Sequence, residues 1–137
     1  MHTTIEKWID EGRIIIEPGG CWTWAGHIMR NGYGQVRHDG ATRLAHRVVF
    51  ALAGHTIPAN RPHLDHLCRH RACVNPDHLE AVTQAENNRR AALTRTHCAK
   101  GHPYTTDNTA VVRRRSGRIC ITCRRASVVA ARTRSAA

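Results

Sequence analysis

The sequence is poor in aromatic side chains, with one Phe, three Trp and two Tyr among 137 residues. It also lacks any run approaching eighteen consecutive apolar residues, which excludes a membrane-spanning helix. So few aromatic residues supply little material for a large apolar core, and a chain of this length then needs a second source of stability. Disulfide bonds and structural metal ions are the usual sources.

Residues 1–6 contain no cationic segment followed by an apolar run, so we expect no export signal. We therefore expect a cytoplasmic protein that is not secreted and does not bind membranes. Its thiols should then stay reduced, and reduced thiols favour metal ligation over disulfide bonds. The six Cys and eleven His are ample for metal binding.

Acidic residues are almost absent from the C-terminal third of the chain. Residues 1–87 hold nine Lys or Arg against nine Asp or Glu, whereas residues 88–137 hold twelve against one, Asp107. The formal charge of +11 therefore lies in the C-terminal part. Such a segment suits a polyanionic partner. A solvated tail is the alternative, and a membrane-surface helix would need an opposing face of Trp, Phe and Leu.

The first half of the sequence predicts a mixture of helices and strands. Thr3-x-x-Glu6 is a capping box that starts a short helix. Asp39-Gly40 is a tight-turn signal for a β-hairpin, and the apolar spacing over residues 45–53 predicts a helix. The fold class is therefore α+β, with an N-terminal β-hairpin or sheet.

A second pattern follows in the order strand, loop, strand and helix. Residues 63–68 alternate like a strand, and residues 80–82 are strand-like. Thr83-x-x-Glu86 is a second capping box that precedes a helical stretch. This order predicts a ββα unit at about residues 62–93.

The six Cys divide into two groups with the spacing of zinc ligands. In the first group, a Cys-x4-Cys-x4-His loop supplies three ligands, and a fourth ligand would close a Cys3His tetrahedron. The alternatives to Cys21 as fourth ligand are His46, His63 and His70. The predicted ligands of this first site are Cys21, Cys68, Cys73 and His78.

The second group consists of two short-spaced pairs separated by seventeen residues, as in a zinc ribbon. We expect it in a basic zinc-knuckle appendage and tail over residues 94–137, after a first domain of residues 1–93. Free thiols or a disulfide are the alternative. Both predicted zinc ions are structural, because a closed Cys3His site leaves no position for substrate. The second set of ligands is Cys98, His102, Cys120 and Cys123.

Three further residues have the chemistry of a hydrolytic site. Asp65 and His66 end the first strand of the ββα unit, and Asn87 lies in the first turn of its helix. Carboxylate and amide oxygens suit Mg²⁺ or Mn²⁺, and a neutral imidazole can take a proton from water. Taken alone, an Asp-His pair is more often a salt bridge, and Asn75 before Pro76 can serve simply as an N-cap.

In combination, Asp65-His66, Asn75 and Asn87 resemble the HNH, or His-Me finger, endonucleases, in the variant with Asn at the third position. The Cys and His spacing over residues 65–80 resembles the small HNH proteins common in phage genomes. It is also similar to that of the His-Cys box homing endonucleases. Together with the flanking Cys motifs, the resemblance covers roughly residues 21–125.

The resemblance implies a ββα-metal core and a divalent-metal-dependent endonuclease that hydrolyses phosphodiester bonds in DNA. His66 would be the general base, and Asp65 and Asn87 would hold one Mg²⁺ or Mn²⁺. Asn75 would brace the loop so that His66 keeps its orientation. His78 lies at an HNH-like position, but the zinc spacing assigns it to the first zinc site. Two structural Zn²⁺ complete the expected cofactors.

The expected partner is double-stranded DNA. Hairpin residues would read bases in the major groove, or they are ordinary residues on the solvent face. Arginines of the second zinc knuckle would contact phosphates. Arg69, Arg71 or Arg47 could clamp the scissile phosphate. The predicted DNA-binding residues are Gln35, Arg37, Arg43, Arg69, Arg71, Arg113, Arg114, Arg115 and Arg118.

Two other functions compete with this hypothesis. A non-catalytic zinc module that binds nucleic acid, as a regulator or a subunit of a packaging complex, explains the cysteines and the charge but has no use for Asp65, His66 and Asn87. A nuclease for RNA would be expected to carry aromatic stacking platforms. As a DNA nuclease in a bacterial or phage-infected cell, the protein could serve homing, packaging or restriction. A double-strand cut would need a homodimer or sequential nicking.

Overall fold

The computed structural model describes residues 3–112 and 117–135. The chain forms two compact units, residues 1–83 and residues 84–137. The domain division that the sequence suggests, after residue 93, lies ten residues further along and stays a prediction. Within the described ranges, no helix is both long and apolar enough to cross a membrane.

Short antiparallel strand pairs and two helices make up the first unit. The pairs are β1 with β2, β3 with β4, and β5 with β6. In chain order, the elements are α1 (Thr4–Asp10), β1 (Ile14–Ile16), β2 (Trp22–Trp24), β3 (Gln35–His38), β4 (Ala41–Leu44), α2 (Ala45–Leu52), β5 (His63–His66) and β6 (Leu79–Val82).

Two of the local sequence signals are confirmed in detail. The Thr3 hydroxyl accepts a hydrogen bond from the Glu6 backbone N–H, and the Glu6 carboxylate accepts one from the Thr3 backbone N–H, which is the reciprocal capping box. At the turn between β3 and β4, Asp39 and Gly40 have φ angles of 48° and 74°. Both lie in the left-handed region that a two-residue hairpin turn requires.

The main core is built around Trp24, which is 1% exposed. The Trp8 and Trp24 rings meet edge to face with centroids 5.3 Å apart, and the Arg13 guanidinium lies 5.3 and 5.0 Å from their centroids. Two tryptophans thus provide much of the volume in a core otherwise made of small residues. The buried members are Trp8, Ile14, Trp24, Val36, Ala45, Val48, Val49 and Val74.

A smaller apolar cluster supports the β5–β6 pair. Phe50 of α2 packs with Leu64 of β5 and Leu79 of β6. His66 lies opposite Leu79 in the strand register, and side chains of directly paired residues share one face of a sheet. His66 therefore lies on the face that packs against α2, whereas Asp65 lies on the other face.

The second unit contains two helices and one strand pair in the described part of the chain. The helix expected after Thr83 is confirmed, whereas a fifteen-residue helix at the C-terminal end was not predicted. The elements are α3 (Gln84–Leu93), β7 (Thr109–Val112), β8 (Gly117–Cys120) and α4 (Ile121–Ser135), with β7 and β8 paired antiparallel.

Gly34 is expected to be essential for packing around Trp24. A Cβ atom at Gly34 would lie 2.6 Å from Trp24 Cδ1, closer than real contacts allow, whereas a Cβ at Gly19 would meet nothing within 4 Å. Gly34→Ala should lower the free energy of unfolding by about 1–3 kcal/mol because the buried indole has to move. Urea denaturation followed by Trp fluorescence would measure this, with Gly19→Ala as the control. Equal stability of the two variants would contradict the packing account.

Candidate functional site

The four predicted ligands of the first zinc site converge in the first unit. The Sγ atoms of Cys21, Cys68 and Cys73 and a ring nitrogen of His78 lie within 4.8 Å of one another. His78 Nδ1 is 3.6 Å from Cys21 Sγ and 3.7 Å from Cys73 Sγ. A tetrahedral zinc ion separates its sulfur and nitrogen ligands by roughly 3.6 Å. The cluster could therefore hold a metal ion, and its donor atoms and spacing fit zinc.

Backbone pairing between β2 and the Cys-rich loop explains how the distant Cys21 reaches this cluster. The Trp24 N–H donates to Ala72 O and the Val74 N–H donates to Trp22 O, at 2.9 and 2.8 Å. This ladder aligns the segment after Cys21 with the chain around the buried Cys73. A sequence separation of 47 residues is thus closed by main-chain hydrogen bonds.

Asn75 stabilises the backbone around the same cluster with two hydrogen bonds. Its Nδ2 donates to Gly20 O at 2.7 Å, and its Oδ1 accepts from the Asp77 backbone N–H at 3.0 Å. The second bond caps the 3₁₀ turn Pro76–His78, which carries the histidine ligand. Asn75 therefore ties the loop before Cys21 to the turn that carries His78. Its predicted effect on His66 stays a prediction.

The thiols of this cluster are chemically suited to a cation. The pKa of Cys21 is raised to about 12, mainly by burial and in smaller part by the neighbouring thiols of Cys68 and Cys73. Burial likewise raises the pKa of Cys73. Crowded thiols stay protonated on their own, whereas thiolates become stable when a bound cation compensates their charge. This chemistry again fits a structural metal ion.

The second predicted cluster also assembles, entirely within the second unit. The ligand atoms of Cys98, His102, Cys120 and Cys123 lie within 4.8 Å of one another. Cys98 Sγ is 3.5 Å from His102 Nδ1 and 3.8 Å from Cys123 Sγ, close to tetrahedral edge lengths of roughly 3.6 and 3.8 Å. This cluster could therefore bind a second metal ion.

Hydrogen bonds around Cys120 prepare that side chain for ligation. The backbone hydrogen bond from Cys123 is the main cause that lowers the pKa of Cys120 to about 7. Burial is the main cause that raises the pKa of Cys123 to about 11. Asn108 Nδ2 also donates to Cys120 Sγ at 3.5 Å. Donors aimed at a sulfur stabilise its thiolate, which is the form that binds metal.

His66 is oriented by the first cluster. Its Nε2 lies 2.9 Å from Cys73 O, and its side chain is buried with the residue 5% exposed. A carbonyl oxygen can only accept, so Nε2 carries the hydrogen and the neutral ring leaves Nδ1 as its basic nitrogen. Burial is the main cause of a pKa lowered from 6.5, which keeps the ring neutral near pH 7.

Two further rings surround His66. The centroid of His46 lies 4.9 Å from that of His66, and the Tyr33 centroid lies 5.5 and 5.7 Å from those of His46 and His66. Burial, with smaller contributions from His66 and Arg47, lowers the pKa of His46 to about 3. His46 Nδ1 is buried without a hydrogen-bond partner among the described residues. His66 thus packs against the neutral imidazole of His46 and the ring of Tyr33.

Asp65 is a buried carboxylate, 6% exposed, on the other face of β5. Its Oδ1 accepts a hydrogen bond from Arg69 Nη1 at 2.9 Å. Arg69 has a φ of 59°, because the chain turns sharply after β5 to enter the Cys-rich loop. The guanidinium compensates a buried negative charge that would otherwise be costly.

Asn87, the third predicted catalytic residue, is the fourth residue of α3 and is half-buried. Its neighbour Glu86 forms ion pairs with Arg89 and Arg90, at 2.8 and 2.7 Å. Asp65 and His66 belong to the first unit and Asn87 to the second. Their joint arrangement at one catalytic metal ion therefore stays a prediction.

The arginines predicted to clamp a phosphate each have a structural partner. Besides the Arg69 pair with Asp65, Arg71 donates to Asn31 O at 2.8 Å and Arg47 donates to Pro62 O at 2.9 Å. These bonds hold loops of the first unit in place. A phosphate contact would have to exchange with them or use the remaining N–H groups.

The predicted DNA-reading residues do not share one face of the β3–β4 hairpin. Gln35 and Arg37 alternate with the buried Val36, and Arg43 lies directly opposite Val36. Paired residues share a face, so Arg43 lies on the face opposite to Gln35 and Arg37. Arg113, Arg114 and Arg115 lie outside the described residues. Arg118 donates hydrogen bonds within its own unit.

Comparison with known proteins adds one match. Residues 43–89 match the model of a protein family described as HNH endonuclease. The chain carries an HNH domain. This domain includes Asp65, His66, Asn75 and Asn87 but neither Cys21 nor the second cluster. Searches of curated proteins and of solved structures found no match.

Sequence reasoning missed two parts of the HNH site. The Cys73 carbonyl that orients His66 has no sequence signal, because any residue has a carbonyl. Tyr33 was not among the predicted site residues, and its contact with His66 depends on the fold. His46, which the sequence offered as an alternative zinc ligand, lies outside the first metal cluster and packs directly beside His66.

The two clusters predict a defined metal content. The protein purified under reducing conditions should hold two zinc ions per chain, one for each cluster, whereas Cys21→Ala protein should hold one. His63→Ala and His70→Ala are the controls and should retain both ions, since neither side chain belongs to a cluster. Elemental mass spectrometry measures the content. Full zinc in Cys21→Ala together with a loss in either control would contradict the assignment.

Proposed function

We propose that this protein is a divalent-metal-dependent endonuclease that hydrolyses phosphodiester bonds in double-stranded DNA and uses zinc only structurally. One observation carries the proposal. Within the segment that matches the HNH family, His66 is buried and its Nε2 is held by Cys73 O. A histidine fixed in this tautomer, with a lowered pKa, has the properties of a general base.

In the proposed reaction, His66 Nδ1 takes a proton from a water molecule. The water oxygen then attacks the phosphorus atom, the bond between phosphorus and the 3′ oxygen breaks, and the 3′ oxygen takes a proton from solvent water to leave as a hydroxyl group. Burial keeps His66 neutral, because a buried imidazolium would be poorly solvated. His46 itself stays neutral, because its pKa is lowered to about 3, and it therefore adds no positive charge beside His66.

Asp65 and Asn87 are the residues that would hold a catalytic Mg²⁺ or Mn²⁺. Their carboxylate and amide oxygens are the ligand types these ions prefer. When bound, the ion stabilises the negative charge that develops on the phosphate and the leaving oxygen. Asp65 fits this role because its side chain is buried and already paired with a cation, Arg69. Arg69, which is 46% exposed, could also reach a phosphate.

Zinc is proposed to have no direct part in the chemistry. Each cluster supplies three sulfurs and one nitrogen, which would complete the coordination of a tetrahedral zinc ion. The apolar cores are small, so two such ions would replace part of the missing hydrophobic stabilisation. The metal that acts on DNA would then be a separate, exchangeable ion.

DNA contact is proposed for exposed arginines on both units. Arg37 lies at the exposed face of the hairpin, and α4 presents arginines along its length. The exposed arginines of α4 are Arg124, Arg125, Arg132 and Arg134. Acidic residues are nearly absent from this part of the sequence, so a polyanion would meet little repulsion.

A DNA-cleavage assay tests the proposal. Wild-type protein with Mg²⁺ or Mn²⁺ should convert supercoiled plasmid to nicked or linear DNA, and EDTA should stop the reaction. His66→Ala should lower the rate by roughly 10²–10⁴-fold because the general base is lost. His27→Ala, which changes an exposed histidine, should cleave like the wild type.

DNA binding and zinc content should be equal in the three proteins. If wild-type protein binds DNA but cleaves neither plasmid nor phage DNA with either metal ion, the nuclease proposal is wrong. A zinc-stabilised nucleic-acid-binding module, such as a regulator or packaging subunit, would then be the better account.

A further inference from the structure

Arg118 was expected to contact phosphate, but its guanidinium is directed into its own unit. Arg118 Nη2 lies 2.9 Å from Ala92 O and 3.1 Å from Leu93 O, and it also donates to Arg95 O. The guanidinium carbon lies 4.3 Å from the centroid of the Tyr104 ring. Arg118 is therefore half-buried between an aromatic face and a cluster of carbonyl oxygens.

These carbonyl groups belong to the C-terminal end of α3. The last four carbonyls of any helix lack partners within the helix and carry partial negative charge. Thr94 Oγ1 donates to Ala91 O, and Arg118 supplies the donor for the next two carbonyls. A cation at this place satisfies the hydrogen bonds and also interacts favourably with the helix dipole.

The helix needs such an anchor. α3 has ten residues, all of them described, and none is buried. A helix this short is marginal in water without packing of an apolar face. Glu86 also pairs with Arg89 and Arg90, whose side chains are 45% and 21% exposed, and solvent weakens such partly exposed ion pairs. Among the described contacts, the hydrogen bonds of Arg118 are thus the ones that fix the C-terminal end of α3.

Arg118 is also linked to the second metal cluster through the chain. It lies on β8, two residues before Cys120, a proposed zinc ligand. β8 pairs with β7, and Cys120 is buried. The position of the guanidinium is therefore set by the strand that ends in the metal cluster.

We propose that Arg118 is a positioning residue, which anchors α3 to the second zinc cluster and so orders the helix that carries Asn87. The zinc knuckle then has a role in catalysis besides any contact with DNA. This inference rests on the proposed function only for the role of Asn87 as a metal ligand. The anchoring of α3 can be measured without any cleavage.

The test compares Arg118→Ala and Arg118→Lys with Arg125→Ala, which removes an exposed arginine of α4. Hydrogen exchange of the backbone amides of residues 84–95 reports on the helix, and elemental analysis reports on zinc. We expect Arg118→Ala to keep both zinc ions while these amides exchange at least about tenfold faster. Arg118→Lys, which retains the charge, should lie between the wild type and Arg118→Ala.

Activity and binding give an independent readout. Single-turnover cleavage by Arg118→Ala should slow and need more Mg²⁺ or Mn²⁺ for half-maximal rate, with the salt dependence of DNA affinity unchanged. Arg125→Ala should instead lower the slope of log affinity against log salt by about one, with normal exchange in α3. The two variants would thus separate a positioning residue from a phosphate contact.

Unchanged exchange in α3 of Arg118→Ala would overturn the inference, as would a fall in its salt slope equal to that of Arg125→Ala. If Arg118→Ala loses zinc, amide exchange in α3 is compared instead between zinc-loaded Arg118→Lys and the wild type. Equal protection of α3 in these two proteins would also overturn the inference. A wild type that does not cleave DNA contradicts the proposed function, and the exchange data still decide whether Arg118 anchors α3.

Discussion

The arrangement of the first unit depends on one residue that takes part in two sites. Cys73 places its sulfur in the first metal cluster, and its backbone oxygen accepts the hydrogen bond from His66. The residue is fully buried, and β2 pairs with its loop through main-chain hydrogen bonds. A shift of this loop would therefore disturb the metal ligands and the histidine together.

This coupling explains why a chain with so little apolar core can hold a buried histidine in one orientation. A metal ion bound by Cys21, Cys68, Cys73 and His78 would fix four points on three chain segments. Metal binding would then contribute to folding free energy and also to the precision of the site. The second cluster would act in a similar way, because the strand β8 that ends in this cluster positions Arg118 against the end of α3.

Much of this architecture could be predicted because its signals are local. Ligand spacings identified both clusters, and Asp39-Gly40 and Thr3-x-x-Glu6 identified a turn and a helix start. Cys21 was the harder ligand, since its approach depends on strand pairing across 47 residues, and three histidines remained as alternatives to it.

Other features depend on tertiary contacts that leave no local pattern. The partner of His66 is a carbonyl group, and the position of His46 follows from how α2 packs against β5. Arg118 is chemically similar to arginines that could bind phosphate, and only the fold shows that it caps a helix. The helix α4 was not predicted because its apolar residues do not form one stripe at helical spacing, although the sequence has no Gly or Pro after Gly117.

The most direct test of the central claim is the tautomer of His66 in the zinc-loaded protein. Long-range ¹H–¹⁵N correlation spectra distinguish a protonated Nε2 from a protonated Nδ1. The account predicts a neutral ring at pH 7 with the hydrogen on Nε2, donated to Cys73 O, and a bare Nδ1. A ring protonated on Nδ1 alone, or a charged ring at that pH, would contradict it.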